Sequence, residues 1–378
     1  MVTAAAATAP TRLASIDRLR GLVMLLMLVD HTREFFYLGH QVTDPMDLAT
    51  TSPALVLTRF ASHPCAPIFV ALTGLAAWLY GQGKPLAATS AFLLKRGAFL
   101  LLLEVTVVSF AWTFALPPLT LFLQVIWAIG LSMIALAGLV HLPRAAMVAI
   151  GIIIVAGHNL LDGVHVPAGS PGHAVWAVLH DRGYLELGGG LRARTSYPVL
   201  PWIGTIALGY AAGPWFGRDA SPQGRVRRLA IAAAAMLALF VVLRTSGLYG
   251  DAGAWTWQGD ALTTALGAFN LTKYPPSLDF LLVTLAIGAL LLAIWDRRPG
   301  GVLAVLGGAP LFFYVLHLYA LHLLHAGAAW ISGDPAFEVP SVSWLWIIAA
   351  ALAPPLWLAT RWFAAVKRRS TAWWIRYL

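Results

Sequence analysis

The chain has 378 residues, 59% of them hydrophobic and only 11% charged, with a formal net charge of +9 and a mean hydropathy of +0.76. A soluble globular chain carries about a quarter charged residues, so these values exclude a sizeable soluble domain. They also argue against a nucleic-acid binder, because the excess of Lys and Arg is spread along the chain rather than gathered into one patch.

Cys65 is the single cysteine, which rules out an intramolecular disulfide framework and a thiolate metal cluster. Met1 to Ser15 is Ala-rich and polar, with no apolar core before a cleavage site, so the first hydrophobic run is expected as a retained anchor. Apolar runs near the ~20 residues needed to cross a ~30 Å hydrocarbon core then recur. The expected spans are 19–38, 64–82, 89–115, 118–141, 144–162, 197–215, 225–245, 276–295, 308–331 and 342–365. Lipid satisfies no backbone N–H or C=O, and these runs lack the alternation of barrel strands, so helices follow. The expected fold is an all-α polytopic membrane protein, with about ten transmembrane helices in one bundle and short interfacial helices. It forms a single domain over 1–378, with 1–18 a cytoplasmic N-terminal segment and 366–378 a cytoplasmic tail.

With the N-terminus inside, Arg12, Arg18, Lys84, Arg144, Arg218, Arg225, Arg297, Arg298 and Lys367 fall in cytoplasmic loops or ends, as the positive-inside rule requires. Two outward segments, 163–196 and 246–275, are long. Each carries an aromatic, partly amphipathic stretch, such as His173 to His180, expected as a short surface helix or lid.

Ionisable groups inside apolar spans are costly and face the bundle interior or a watery cavity. The first span is the richest, with Arg20 at its entry and Asp30, His31, Arg33 and Glu34 further along. Eleven residues at ~1.5 Å each place His31 about 16 Å beyond Arg20, and just over three turns put both on nearly the same face. That pair suits a long anionic donor whose charged end stays at the inner surface while its reactive end reaches mid-membrane, the shape of acyl-coenzyme A. The imidazole can deprotonate an acceptor or take the acyl group itself, with Asp30 or Glu34 to orient it. A His that merely hydrogen-bonds its neighbours is the plain alternative.

His40, at the outer end of this span, reads equally as a solvated interfacial residue or as a base. Arg59 and His63, four apart before a Pro-punctuated span, can line one outer cavity. Lys95 and Arg96 mark an inner boundary, as phosphate contacts or as topogenic charges. Asn159, in His158-Asn-Leu-Leu-Asp162, and Lys273, in Asn270-Leu-Thr-Lys-Tyr-Pro-Pro-Ser277, complete a polar outer level with the look of a substrate vestibule. His317, His322 and His325 have no carboxylate beside them in their span, so bonding between helices is favoured over a metal site, and no metal is expected.

The run Ile16-Asp17-Arg18-Leu19-Arg20-Gly21, then His31, then Ala66-Pro67-Ile-Phe-Val-Ala-Leu-Thr-Gly74, resembles the bacterial relatives of heparan-alpha-glucosaminide N-acetyltransferase, within the wider transmembrane acyltransferase superfamily. Asp47-Leu-Ala-Thr-Thr-Ser-Pro, His158 to Asp162 and Lys273 to Ser277 extend the likeness along most of the chain. The resemblance implies a ten- or eleven-helix enzyme that takes an acyl group from cytoplasmic acyl-CoA and delivers it to a sugar across the membrane. In related acyltransferase-3 enzymes a basic residue, a ten-residue gap and a His form a signature that Arg20 and His31 match. In the lysosomal sugar acetyltransferases an Asn stands at the position of His31, and the catalytic His falls closest to His40. The two comparisons therefore nominate different histidines.

The expected activity is an acyl-CoA-dependent O- or N-acyltransferase of the bacterial inner membrane, with both termini cytoplasmic. His31, His40 and Asp30 are the candidate catalytic residues. Arg20, Lys95 and Arg96 are candidates for the acetyl-CoA or other acyl-CoA donor, and Arg59, His63, Asn159 and Lys273 for the acceptor. Expected partners are membrane lipid, acyl-CoA and a sugar or small molecule, with a homodimer an open alternative. The rival is a proton-coupled small-solute transporter that uses Asp30, His31 and Glu34 as a relay.

Overall fold

The computed structural model describes residues 13–39, 51–372 and 375. Apolar runs punctuated by Pro, Gly and charge divide them into helices in chain order: α1 (Ala14–Phe36), α2 (Pro53–Ser62), α3 (Cys65–Gly81), α4 (Leu86–Leu103), α5 (Ser109–Thr113), α6 (Val125–Leu139), α7 (Arg144–Gly157), α8 (His173–Leu179), α9 (Leu200–Ala211), α10 (Pro222–Ser246), α11 (Ala261–Gly267), α12 (Leu278–Trp295), α13 (Gly301–Leu306), α14 (Pro310–Ser332) and α15 (Val342–Arg369). Several starts are written in the sequence. At α2 and α10 a Ser-Pro pair places a hydroxyl that accepts a first-turn N–H, from Leu55 at Ser52 and from Gly224 at Ser221, and the proline takes a position whose N–H is not needed.

Among the described residues six helical stretches are long and apolar enough to cross a membrane: Pro53–Gly81, Arg144–Leu161, Pro222–Ser246, Leu278–Trp295, Pro310–Ser332 and Val342–Arg369. That is fewer than the ten spans expected. The shortfall has physical causes. Residues 14–36 carry several charges, residues 86–113 are interrupted by a π-helical turn over Glu104–Val108, and Val125–Leu139 and Leu200–Ala211 are short.

The all-α expectation needs a correction. A three-stranded sheet, in the order β1-β3-β2, joins β1 (Thr120–Leu123) in parallel to β3 (Leu191–Thr195), with β2 (Gly183–Gly188) antiparallel on the other side of β3. The register sets Thr120 opposite Arg192 and Tyr184 opposite Arg194. The expected span over 118–141 thus begins as a strand, because Pro117 and Pro118 withhold helical N–H groups and β3, some seventy residues on, supplies the backbone partners instead. The segment 163–196 contains the short surface helix expected near His173, as α8, and also the hairpin.

α1 runs through the middle of the bundle, with Leu19, Val23, Met24 and Leu28 almost wholly buried against α3 and α12 to α15. Lipid supplies no hydrophobic drive between helices, so close approach depends on small residues. At the crossing of α3 and α9 a side chain on Gly74 would run into the backbone oxygen of Ile206, and one on Gly209 into that of Ala71. α14 packs on both α1 and α5, which brings candidate residues of the three helices together.

Candidate active site

Two of the cavities along α1 hold the candidate residues. The wide one, about 1340 Å³, is lined by Asp30, His31, Arg59, His63, Trp112, Gln124 and Lys273 among others. The narrow one, about 320 Å³, is lined by Arg20, Arg96 and Lys367 together with the apolar side chains of Met24, Met27, Leu100 and Ile129. Helical spacing explains the division. Arg20, Met24 and Met27 share the face that meets the narrow cavity, and His31, one turn beyond Met27, meets the wide one. Four residues rise only about 6 Å. Gln124 and Val125, adjacent in the chain, likewise line different cavities, so the partition is thin on two sides.

His31 stands in that partition. Its Nδ1 lies 2.7 Å from His317 Nε2, with the two rings near parallel, and His317 Nδ1 lies 2.9 Å from the Phe313 carbonyl oxygen. The chain of bonds fixes the tautomers. A carbonyl oxygen only accepts, so His317 Nδ1 carries hydrogen, and the Nε2 of a neutral His317 accepts from His31 Nδ1–H. The Nε2 of His31 is then left without a proton, on a half-buried ring that lines the wide cavity. A bare imidazole nitrogen held in one orientation can act chemically as a general base or a nucleophile.

The expectation that Asp30 or Glu34 orients His31 is corrected by this arrangement. Asp30 accepts from Arg59 Nη1 at 2.8 Å and also faces Arg33 Nε at 3.5 Å and Lys273 Nζ at 4.0 Å, while Glu34 pairs with Arg33. With several cations around it, Asp30 is a charge balance for the cavity wall, and His317 is the orienting group. His317 had been expected to bond between helices, which it does, as does His322, whose Nδ1 meets the Ala111 carbonyl at 2.9 Å. What the sequence did not reveal is that its partner is His31, 286 positions away.

Of the other expected site residues, Arg59, His63 and Lys273 line the wide cavity together. His63 is buried between the Phe60 and Phe280 rings. Lys273 lies over the ring of Tyr274, whose hydroxyl bonds to that of Tyr197. Burial pushes the Tyr274 hydroxyl up, but the Lys273 and Arg59 charges outweigh it, and the net direction is down. Arg20 and Arg96 line the narrow cavity, where Arg20 also reaches the Leu72 carbonyl and Asp17. Lys95 is not brought to either cavity. One step along the α4 turn from Arg96, it points outward and is exposed. Asn159 is not brought there either: its amide donates to Asp162 Oδ2 and its oxygen accepts the Leu278 N–H, each at 2.9 Å, so it fastens the end of α7 to the start of α12. His40 lies outside the described residues. Among the described residues no three His, Cys, Asp or Glu side chains gather as a metal site would require.

Sequence reasoning missed Trp112 and Tyr314, whose rings stand edge-on to His31 at 5.2 and 5.9 Å between centroids. It also missed Arg182 and Arg194, which line the wide cavity and lie against the Tyr274 and Tyr184 rings. The alternation of Arg192 and Arg194 with apolar neighbours was the available signal, a period of two that marks a strand with a basic face.

A basic, apolar-walled cavity and a wide polar one, meeting at an oriented histidine on the first helix, is the arrangement the family comparison addresses. Residues 12–247, more than half of the chain, match the family described as heparan-alpha-glucosaminide N-acetyltransferase, catalytic. The chain belongs to this family. None of the curated proteins matches the sequence. Membership makes the chain a membrane acyltransferase, and its apolar helices make it an integral membrane protein. The match includes Arg20, His31, Arg59, His63, Arg96 and Trp112 and ends before Lys273, Tyr314 and His317.

Proposed function

We propose that this member of the heparan-alpha-glucosaminide N-acetyltransferase family moves an acyl group, by family preference acetyl, from a coenzyme A thioester in the narrow cavity to a hydroxyl or amine of a sugar or small molecule in the wide one. The observation that carries the reading is the bare Nε2 of His31, oriented by His317 at the partition between the cavities. Arg20, Arg96 and Lys367 give the narrow cavity the cations that a phosphate-rich donor needs, and its Met and Leu walls suit an apolar pantetheine arm. The positive-inside distribution of Lys and Arg supports placing this end in the cytoplasm and the wide cavity on the opposite side, in a bacterial inner membrane with both termini cytoplasmic. On this reading the helices that fall short of a full span complete a bundle of about ten.

In the reaction the acceptor heteroatom adds to the thioester carbonyl carbon and gives its proton to His31 Nε2. The carbon–sulfur bond then breaks, and the leaving sulfur takes that proton. Nothing is oxidised or reduced. Holding both partners at a shared base converts a meeting across the membrane into a local step. The pairing of Asp30 with Arg59 and of Glu34 with Arg33, rather than with His31, supports the transfer reading over a proton relay.

The test is CoA release from acetyl-CoA by purified protein, with glucosamine as the probe acceptor and acetyl-CoA binding measured alongside. His31→Ala is expected to bind acetyl-CoA as the unmodified protein does and to lose at least about 10²-fold in turnover, the lower end of what a positioned base contributes. CoA release by His31→Ala at the unmodified rate sinks the assignment.

A further inference from the structure

The partition holds a polar cluster that the transfer step above leaves unused. The Tyr314 side chain is 2% exposed, and neither its hydroxyl nor the buried Trp112 Nε1 has a hydrogen-bond partner among the described residues. Buried donors without acceptors are rare because they are costly, so two together call for an explanation. The two lie against each other, in a contact that falls short of hydrogen-bond geometry, so each donor is open to a better acceptor. Both rings stand edge-on to His31, and Trp112 lines the wide cavity while Tyr314 lines the narrow one. Trp112 is further fixed by parallel packing on Phe35, with ring centroids 5.3 Å apart.

The chain leading to Trp112 carries a second irregularity. Glu104, fully buried, opens the π-helical turn Glu104–Val108, a form of backbone found often at functional sites. Its Oε1 accepts the Gln124 N–H at 2.8 Å, and its Oε2 has no partner among the described residues. Gln124 belongs to the wide-cavity wall, so Glu104 ties the π turn to the partition beside Tyr314.

We infer that the Tyr314 hydroxyl and the Trp112 indole N–H are catalytic hydrogen-bond donors that receive the carbonyl oxygen of the thioester as it crosses the partition. The inference rests on the acyl-transfer reading and deepens it. When the acceptor adds to the carbonyl carbon, the π electron pair of the C=O bond moves to oxygen. The two donors meet that oxygen, and when the pair returns the carbon–sulfur bond breaks. His31 handles the proton throughout, so the donors exchange none. Donors already aimed at the site of developing charge need no rearrangement during the reaction, which is why such pairs matter to rate more than to binding. Glu104 is a positioning residue in this scheme, acting through the turn that carries Trp112.

The competing structural account is that Tyr314 closes onto Glu104 Oε2 and serves only to fill the bundle. A spectrum separates the two without knowledge of the acceptor. Acetyl-CoA labelled with ¹³C at the thioester carbonyl is bound to the full-length protein in detergent, and the isotope-edited infrared band of that carbonyl is recorded. The inference expects a band at lower frequency than in free acetyl-CoA, moving back towards the free position in Tyr314→Phe and in Trp112→Phe, with acetyl-CoA affinity changed less than about threefold. With glucosamine as acceptor, kcat falls by about 10²-fold or more in each variant, the loss typical of one missing donor, while KM for acetyl-CoA stays within the same threefold limit. If acetyl-CoA binds and the band is the same in all three proteins, the donor pair is overturned and the acyl-transfer reading stands. If unmodified protein binds no acetyl-CoA, both fall. Each outcome requires that the variants retain the native melting temperature, and Tyr314→Met, long, apolar and without a donor, is the substitute where Phe does not fold.

Discussion

At the scale of single residues the proposed site turns on one tautomer, and that tautomer depends on a buried side chain that lines neither cavity. Phe313 offers a carbonyl, His317 passes the requirement on, and His31 is left with a bare Nε2. Replacing His317 therefore tests the chain of bonds itself. In His317→Gln the side-chain oxygen can still accept from His31 Nδ1–H, whereas in His317→Leu it cannot, and His31 is free to turn or to take the other tautomer. Turnover of acetyl-CoA with glucosamine is expected to fall about 10-fold in the Gln variant and about 10²-fold or more in the Leu variant, within the range for a disoriented base. Equal activity in the two variants would remove the orienting role. The residue pattern explains why one half of this pair was legible and the other was not. Arg20 and His31 lie on one helix, where the period of 3.6 turns spacing into geometry. His317 joins them only through the packing of α14 on α1, which no local period encodes. Asp30 misled for the same reason: adjacency in sequence suggested a partner for His31, while folding supplied Arg59 and Lys273 to Asp30 instead.

At the scale of elements, helices were legible wherever hydropathy alone defines them, while the Ser-Pro starts of α2 and α10 lie ahead of the expected spans at 64 and 225, because capping rather than hydropathy sets them. The sheet was not, because Leu119 to Leu123 is as apolar as a helix start and its partner strand lies far away in the chain. Nor was the π turn, since nothing in Glu104-Val-Thr-Val-Val distinguishes an i→i+5 bond from an i→i+4 one. The close crossing of α3 and α9 is intermediate. Gly74 was visible as a residue within an apolar span, but its purpose appears only when the Ile206 carbonyl is seen against it. A side chain there meets backbone, which cannot swing aside. Gly74→Val is expected to destabilise by about 1–3 kcal/mol, the usual cost of overpacking a tight interface. Thermal unfolding in detergent should show a lower melting temperature than for Gly138→Val, where a new Cβ meets open space. Equal melting temperatures for the two variants would mean that the crossing tolerates separation.

At the scale of the molecule, the two cavities and the charge distribution point along one axis. On the proposed reading, the partition of about one helical turn separates a donor side from an acceptor side that open to different compartments. The basic mouth around Arg20 and Arg96 and the exposed turn at Lys84 belong to one end, and the hairpin bearing Arg182 and Arg194 to the other. The ends can be told apart chemically, because the single cysteine is easily silenced. Cys65 is buried with its sulfur near the Val23 carbonyl, so Cys65→Ser keeps a donor in place. On that background Arg182→Cys and Lys84→Cys each introduce one thiol at a side chain that is exposed. In right-side-out membrane vesicles a membrane-impermeant maleimide is expected to label Arg182→Cys and to leave Lys84→Cys unlabelled until the vesicles are opened. The reverse pattern would invert the orientation. Labelling of both in sealed vesicles would place the two cavities on one side and remove the need for transfer across the bilayer.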